Sequence, residues 1–135
     1  MAIKTHNGQT ITAASDTGPT IPSPAAAGDR LAASGAGAFA TQPAKTALGN
    51  KSGAVALTLT GGTTHTCTFN GTVTGITPSG LADGESCILQ QLGTQTVTTT
   101  GVTAMFTGAL ADAGVPAFWV ILRVGSTYYA SCKAS

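Results

Sequence analysis

Charge is what this chain has least of. Asp, Glu, Lys and Arg make up 8% of its 135 residues, against roughly a quarter in ordinary soluble domains. Six basic and five acidic side chains leave a net charge of +1. No Lys/Arg run or basic stripe exists for a phosphate backbone to engage, which argues against a nucleic-acid partner. So few charges also give little electrostatic protection against association, so the surface reads as mostly covered by partners. Long apolar runs are missing too. Nothing approaches the ~18 unbroken apolar residues of a spanning helix, so no membrane partner is expected. The opening MAIKTHNGQTIT lacks the continuous apolar stretch of a secretory signal.

Cysteine is scarce and odd in number: Cys67, Cys87 and Cys132, with no CxxC spacing. Each lies in a strand-like run (TCTF, SCIL, ASCK), which favours buried free thiols; one disulfide plus a spare thiol is the alternative. With His6 and His65 the only histidines, no zinc-ligand spacing forms. No G-x-S-x-G, HExxH or carboxylate pair in an apolar setting occurs, so no catalytic residue is assigned and no enzyme is expected. His65 with Asp83 or Glu85, and Ser79 or Ser86 as nucleophile, is the one conceivable acid–base set. The plainer expectation is an exposed histidine on a strand edge. Asp83-Gly84-Glu85 offers too few oxygen ligands for a hard cation and reads as an acidic turn. No metal and no cofactor is expected.

What the chain does have divides it in two. Residues 1–51 are rich in Ala, Gly, Pro, Ser and Thr, with apolar residues far apart: Ile3, Ile11, Ile21, Leu31, Phe39 and Leu48. Pro19, Pro22, Pro24 and Pro43 interrupt any regular element. A segment burying so little apolar surface cannot offset its own ordering entropy. It reads as an extended arm whose spaced anchors Ile3, Ile11, Ile21, Leu31 and Phe39 would fill shallow pockets on a partner.

From Ser52 the pattern has period two, the signature of half-buried strands. Val55, Leu57 and Leu59 point one way, Thr58 and Thr60 the other. Cys67, Phe69, Gly71 and Val73 alternate with threonines and Asn70, though Asn70-Gly71 could equally be a hairpin turn. Turns at Pro78-Ser79-Gly80 and Asp83-Gly84 precede a strand from Glu85 to Leu92. A further strand is expected over Thr94 to Val102, then a loop from Ala104 to Val115 plugged by Met105, Phe106 and Leu110. Ala117 to Val124 (AFWVILRV) is apolar on both faces and reads as a central, doubly buried strand. Gly125-Ser126 turns into a last strand, Thr127 to Lys133. Six to eight short strands with Gly-rich turns and no helical period indicate an all-β sandwich or barrel over residues 52–135.

Repeated Thr-x-Thr units suggest an ice-binding array, but their spacing is irregular and wet strand faces account for them better. Asn70-Gly71-Thr72 and Asn50-Lys51-Ser52 match the glycosylation sequon as chance matches would in a Thr-rich chain. Phe118, Trp119, Tyr128 and Tyr129 hold most of the aromatic content; with Ile121 they are expected to seal a core or a subunit interface rather than stack a sugar.

The stretch ITPSGLADGESCILQQLGTQTVTTTGV, followed by a loop and AFWVILRVGSTYYAS, resembles the β-modules that close many tailed-bacteriophage virion proteins: capsid decoration (cement), head-fibre and tail-fibre proteins. The resemblance covers roughly Leu57 to Ser131. It implies a jelly-roll-like β-sandwich, commonly trimeric, with no fixed catalytic motif. The expectation is a structural, non-enzymatic virion protein, made in the host cytoplasm, that binds the major capsid protein on the capsid surface. A fibre module touching the host surface is the alternative, and a secreted carbohydrate- or ice-binding module a third.

Overall fold

The structure, a computed structural model, describes residues 3–6, 9–12, 26–35 and 38–135. The chain forms two compact units, Met1–Gln42 and Pro43–Ser135. The sequence reading put the division at 51/52, but the second unit already begins at Pro43, and Leu48 packs against its core.

The first unit is not without regular structure. Strands β1 (Ile3–His6) and β2 (Gln9–Thr12) form an antiparallel pair, as do β3 (Arg30–Gly35) and β4 (Ala38–Gln42). Ile3, Ile11, Leu31 and Phe39 fall in strands because each hairpin satisfies its own backbone groups locally, which composition does not report.

The second unit contains one six-stranded mixed sheet in the order β5-β6-β7-β9-β10-β8. Its strands are β5 (Lys45–Thr58), β6 (Thr64–Ser79), β7 (Ser86–Leu92), β8 (Thr103–Ala104), β9 (Ala117–Val124) and β10 (Thr127–Ala134). All-β structure is as expected. The pairing differs from a jelly roll, which is antiparallel, because β5, β6 and β7 run parallel.

Consecutive parallel strands need a return path, and only residues 59–63 separate β5 from β6. Five residues reach at most about 20 Å, whereas a straight strand of the 14 residues in β5 would run roughly 46 Å. Both strands therefore curve, and the chain winds back over its own start. Three register shifts in the β5–β6 pairing mark the bends, one with its extra residue in β5 between Ala47 and Asn50 and two with theirs in β6 opposite Lys51 to Ala54. Gly49 and Gly53 there hold positive φ of 72° and 67°, a conformation glycine adopts without a Cβ clash. Asn70-Gly71 is no turn; both lie inside β6.

The third winding continues past β7. Val73 N–H donates to Thr96 O and Thr98 N–H to Val73 O, both at 2.8 Å, and Ile76 N–H donates to Thr100 O at 2.8 Å. The strand expected over 94–102 contributes only the isolated bridge Val73–Val97. The antiparallel hairpin β9–β10 then lies against β7.

Val55, Leu57, Leu59, Phe69, Val73, Leu89, Trp119 and Ile121 form one core. In the 104–115 loop the buried residues are Ala109 and Ala113; Leu110 packs against the core, while Phe106 is exposed.

Candidate functional site

The alternation of the strands sorts the sheet into inward and outward rows. Register aligns His65, Leu89, Trp119 and Cys132 across β6, β7, β9 and β10, and all four are buried. Trp119 Nε1–H donates to Gln91 Oε1 at 2.8 Å, and Gln91 Nε2–H donates to the Ala113 carbonyl at 2.9 Å. A buried amide so paired ties the hairpin to the loop, and both its polar ends are satisfied. Sequence reading missed Gln91, although it shares the Cys87–Leu89 face by its period of two.

His65 is a correction: it is 1% exposed, not an edge histidine. The Thr60 N–H donates to its Nε2 at 3.0 Å. The same Nε2 lies 3.4 Å from the Thr60 carbonyl, to which it donates when it carries the proton, and buried Nδ1 has no hydrogen-bond partner among the described residues. Burial holds its pKa below the usual histidine value, partly opposed by the Thr60 backbone. A neutral imidazole packed in this row is a core residue, and nothing here aligns it with Ser79 or Ser86. The acidic turn is spoken for as well. Asp83 Oδ1 accepts the Gly125 N–H at 2.7 Å, and Glu85 Oε2 accepts the Ala82 N–H at 2.8 Å. Arg123 closes the same corner by donating to Leu81 O and Gly125 O, and stacks over Tyr128 at 5.8 Å.

The three cysteines are buried free thiols, as expected. Burial raises all three pKa values, that of Cys87 to about 11. Among the described residues, no three His, Cys, Asp or Glu side chains gather as a metal ion requires.

The outward rows hold the candidate surface. Thr64, Ile88 and Val120 align in one row, and Thr66, Gln90 and Phe118 in the next. Ile88, Val120, Phe118 and Leu92 are 43–46% exposed. A groove of about 310 Å³ lies beside Ile88 and Val120, lined also by Gly62, Thr63, Thr64, Ser86 and Cys87. Here too the sequence expectation needs correction: β9 is not buried on both faces. Ala117, Trp119 and Ile121 enter the core while Phe118 and Val120 face outward.

No family model, curated protein or solved structure matches this chain.

The remaining expected site residues scatter. Tyr128 packs against the core edge, and Tyr129 is half-buried opposite Leu122. In the first unit, Leu31 and Phe39 are 43% and 44% exposed. The register Leu31–Thr41 and Ala33–Phe39 puts both on one face of the β3–β4 hairpin. Ile3 and Ile11 sit on β1 and β2, opposite Thr12 and Lys4. Ile21 lies outside the described residues.

Proposed function

We propose that this chain is a structural protein of a tailed-bacteriophage particle, a capsid decoration or cement protein that binds the major capsid protein and braces the shell as a homotrimer. The observation that carries the reading is the outer face of β7 and β9, four large apolar side chains nearly half exposed on an uncharged strip. Contiguous apolar surface of this kind marks an interaction site rather than ordinary exposure. Complete burial of such a side chain contributes roughly 1.5–3 kcal/mol. Covering the exposed halves of four gives about 3–6 kcal/mol before the costs of association. That is too weak for one copy and ample for several, since a trimer multiplies contacts through effective concentration.

Leu31 and Phe39, side by side on their hairpin, give the first unit two of the anchors that the arm reading requires. The reading needs an all-β body and a free apolar face, and does not depend on jelly-roll connectivity. A fibre module remains the second reading, favoured by the wound parallel strands, since stacked windings are a natural way to build an elongated part.

Co-sedimentation with washed particle shells tests the proposal. The intact chain should pellet with shells even in raised salt, because screening weakens only charge contacts. A chain carrying Val120→Lys and Phe118→Lys, both outward substitutions, should stay in the supernatant while remaining folded. Equal binding by both chains, or binding abolished by salt alone, would remove the apolar face from the account.

A further inference from the structure

The winding has two ends, and they are finished differently. At one end the antiparallel β9–β10 hairpin covers β7, and beyond it only the two residues of β8 pair with β10. At the other end β5 closes the strand order, and among the described residues no strand pairs with its outer edge. An open edge is a template for another strand unless charge, proline, bulges or a covering segment blunt it.

The first half of β5 is blunted in this way. It carries Lys45 and Lys51, and the one bulge whose extra residue lies on β5 itself falls between Ala47 and Asn50. The second half is not. Ala54 to Thr58 pairs residue by residue with Gly75 to Ser79 without a shift, and the sequence AVALT contains neither charge nor proline. Ala54, Ala56 and Thr58 point outward; Val55 and Leu57 point into the core.

We propose that the Ala54–Thr58 edge is a strand-addition site whose occupant is the same edge of a second copy. A two-fold axis perpendicular to the sheet makes the two edges antiparallel and keeps their inner faces on one side. Centred on Ala56, the pairing sets Ala56 against its own mate, Val55 against Leu57 and Ala54 against Thr58. On the outer face Ala54, Ala56 and Thr58 meet their mates, while Val55 and Leu57 stay buried in their own cores. No charge meets a like charge, and Gly53, at a positive φ of 67°, ends the regular stretch before these five residues. This copy-to-copy contact uses a different surface from the Ile88–Val120 face, so it stands or falls independently of the proposed function.

The test uses the full chain with an outward substitution at the two-fold. Ala56→Lys and Ala56→Glu each place like charges directly opposite one another, which disfavours pairing; mixed together, they place opposite charges there. In sedimentation velocity the equimolar mixture should show twice the mass of either variant alone, whatever assembly each variant forms through other surfaces. Ala56→Cys should form a disulfide-linked pair under mild oxidation, while Thr72→Cys, exposed within the inner strand β6, should not. The inference is overturned if the mixture gains no mass over its components, or if Ala56→Cys cross-links no better than Thr72→Cys. Thermal melts of both charge variants matching the parent's establish that any loss of mass is not unfolding.

Discussion

Replacing Trp119 with Ala should destabilise the second unit by about 3–5 kcal/mol, the usual cost of emptying a large aromatic site. Trp119 is 1% exposed in the middle of the inward row, flanked in register by Leu89 and Cys132. Removing it opens a cavity between two neighbours on different strands, so local collapse cannot refill it. The substitution also strips Gln91 Oε1 of its donor, and an unpaired buried acceptor costs about 1–3 kcal/mol by itself. Trp119→Phe separates the two effects, keeping most of the volume while losing the N–H. Against a total of roughly 5–15 kcal/mol for a typical domain, the Ala variant should melt on the order of 15 °C lower. The Phe variant should fall between it and the parent. A Phe variant as stable as the parent would show that the Trp119–Gln91–Ala113 chain of hydrogen bonds adds nothing beyond packing.

Gly101→Ala should be of similar severity for a different reason. Gly101 has φ of 100° and follows Thr100, whose carbonyl receives the Ile76 N–H. A Cβ at this position would fall on the Ile76 carbonyl oxygen. The substitution thus combines strained backbone, about 1–3 kcal/mol, with separation of two windings that hydrogen-bond at that point. The expected total is about 3–5 kcal/mol, among the large values for single changes. Gly125→Ala is the control. Its φ is 60°, but a Cβ there meets nothing within 4 Å, so only the left-handed conformation is penalised, about 1–2 kcal/mol. Chemical denaturation of the three proteins should rank parent, Gly125→Ala, Gly101→Ala. If the two variants lost equal stability, close stacking at Gly101 would not be what holds the windings together.

How much of this was legible in the sequence depends on the kind of information. Alternation located β7, β9 and β10 closely and gave the inward set Val55, Leu57, Leu59, Cys67 and Phe69 correctly. It also carried two signals that polarity obscured. His65 shares the face of Cys67 and Phe69, and Gln91 that of Cys87 and Leu89, so period two places both inside, where they are found. Partner direction is not encoded in alternation, because a strand buries the same side chains whether its neighbour runs parallel or antiparallel. The parallel winding of β5, β6 and β7 therefore came only with the register. The bends within β5 and β6 were hidden for a related reason. A shift of phase between Val73 and Ile76, both buried, resembles the break between two strands. The outward half of β9 was misjudged because an apolar row does not say whether its own chain covers it. That row, Phe118 with Val120, is the basis of the functional proposal.

The proposal is tested most directly by subunit-averaged electron microscopy of washed phage particles assembled with the chain. Density for the all-β body should recur over the shell between major capsid subunits, in groups of three, with the Ile88–Val120 face turned to a neighbour. Its absence from the particle, or its confinement to the tip of a tail or fibre, would contradict a capsid-bracing role.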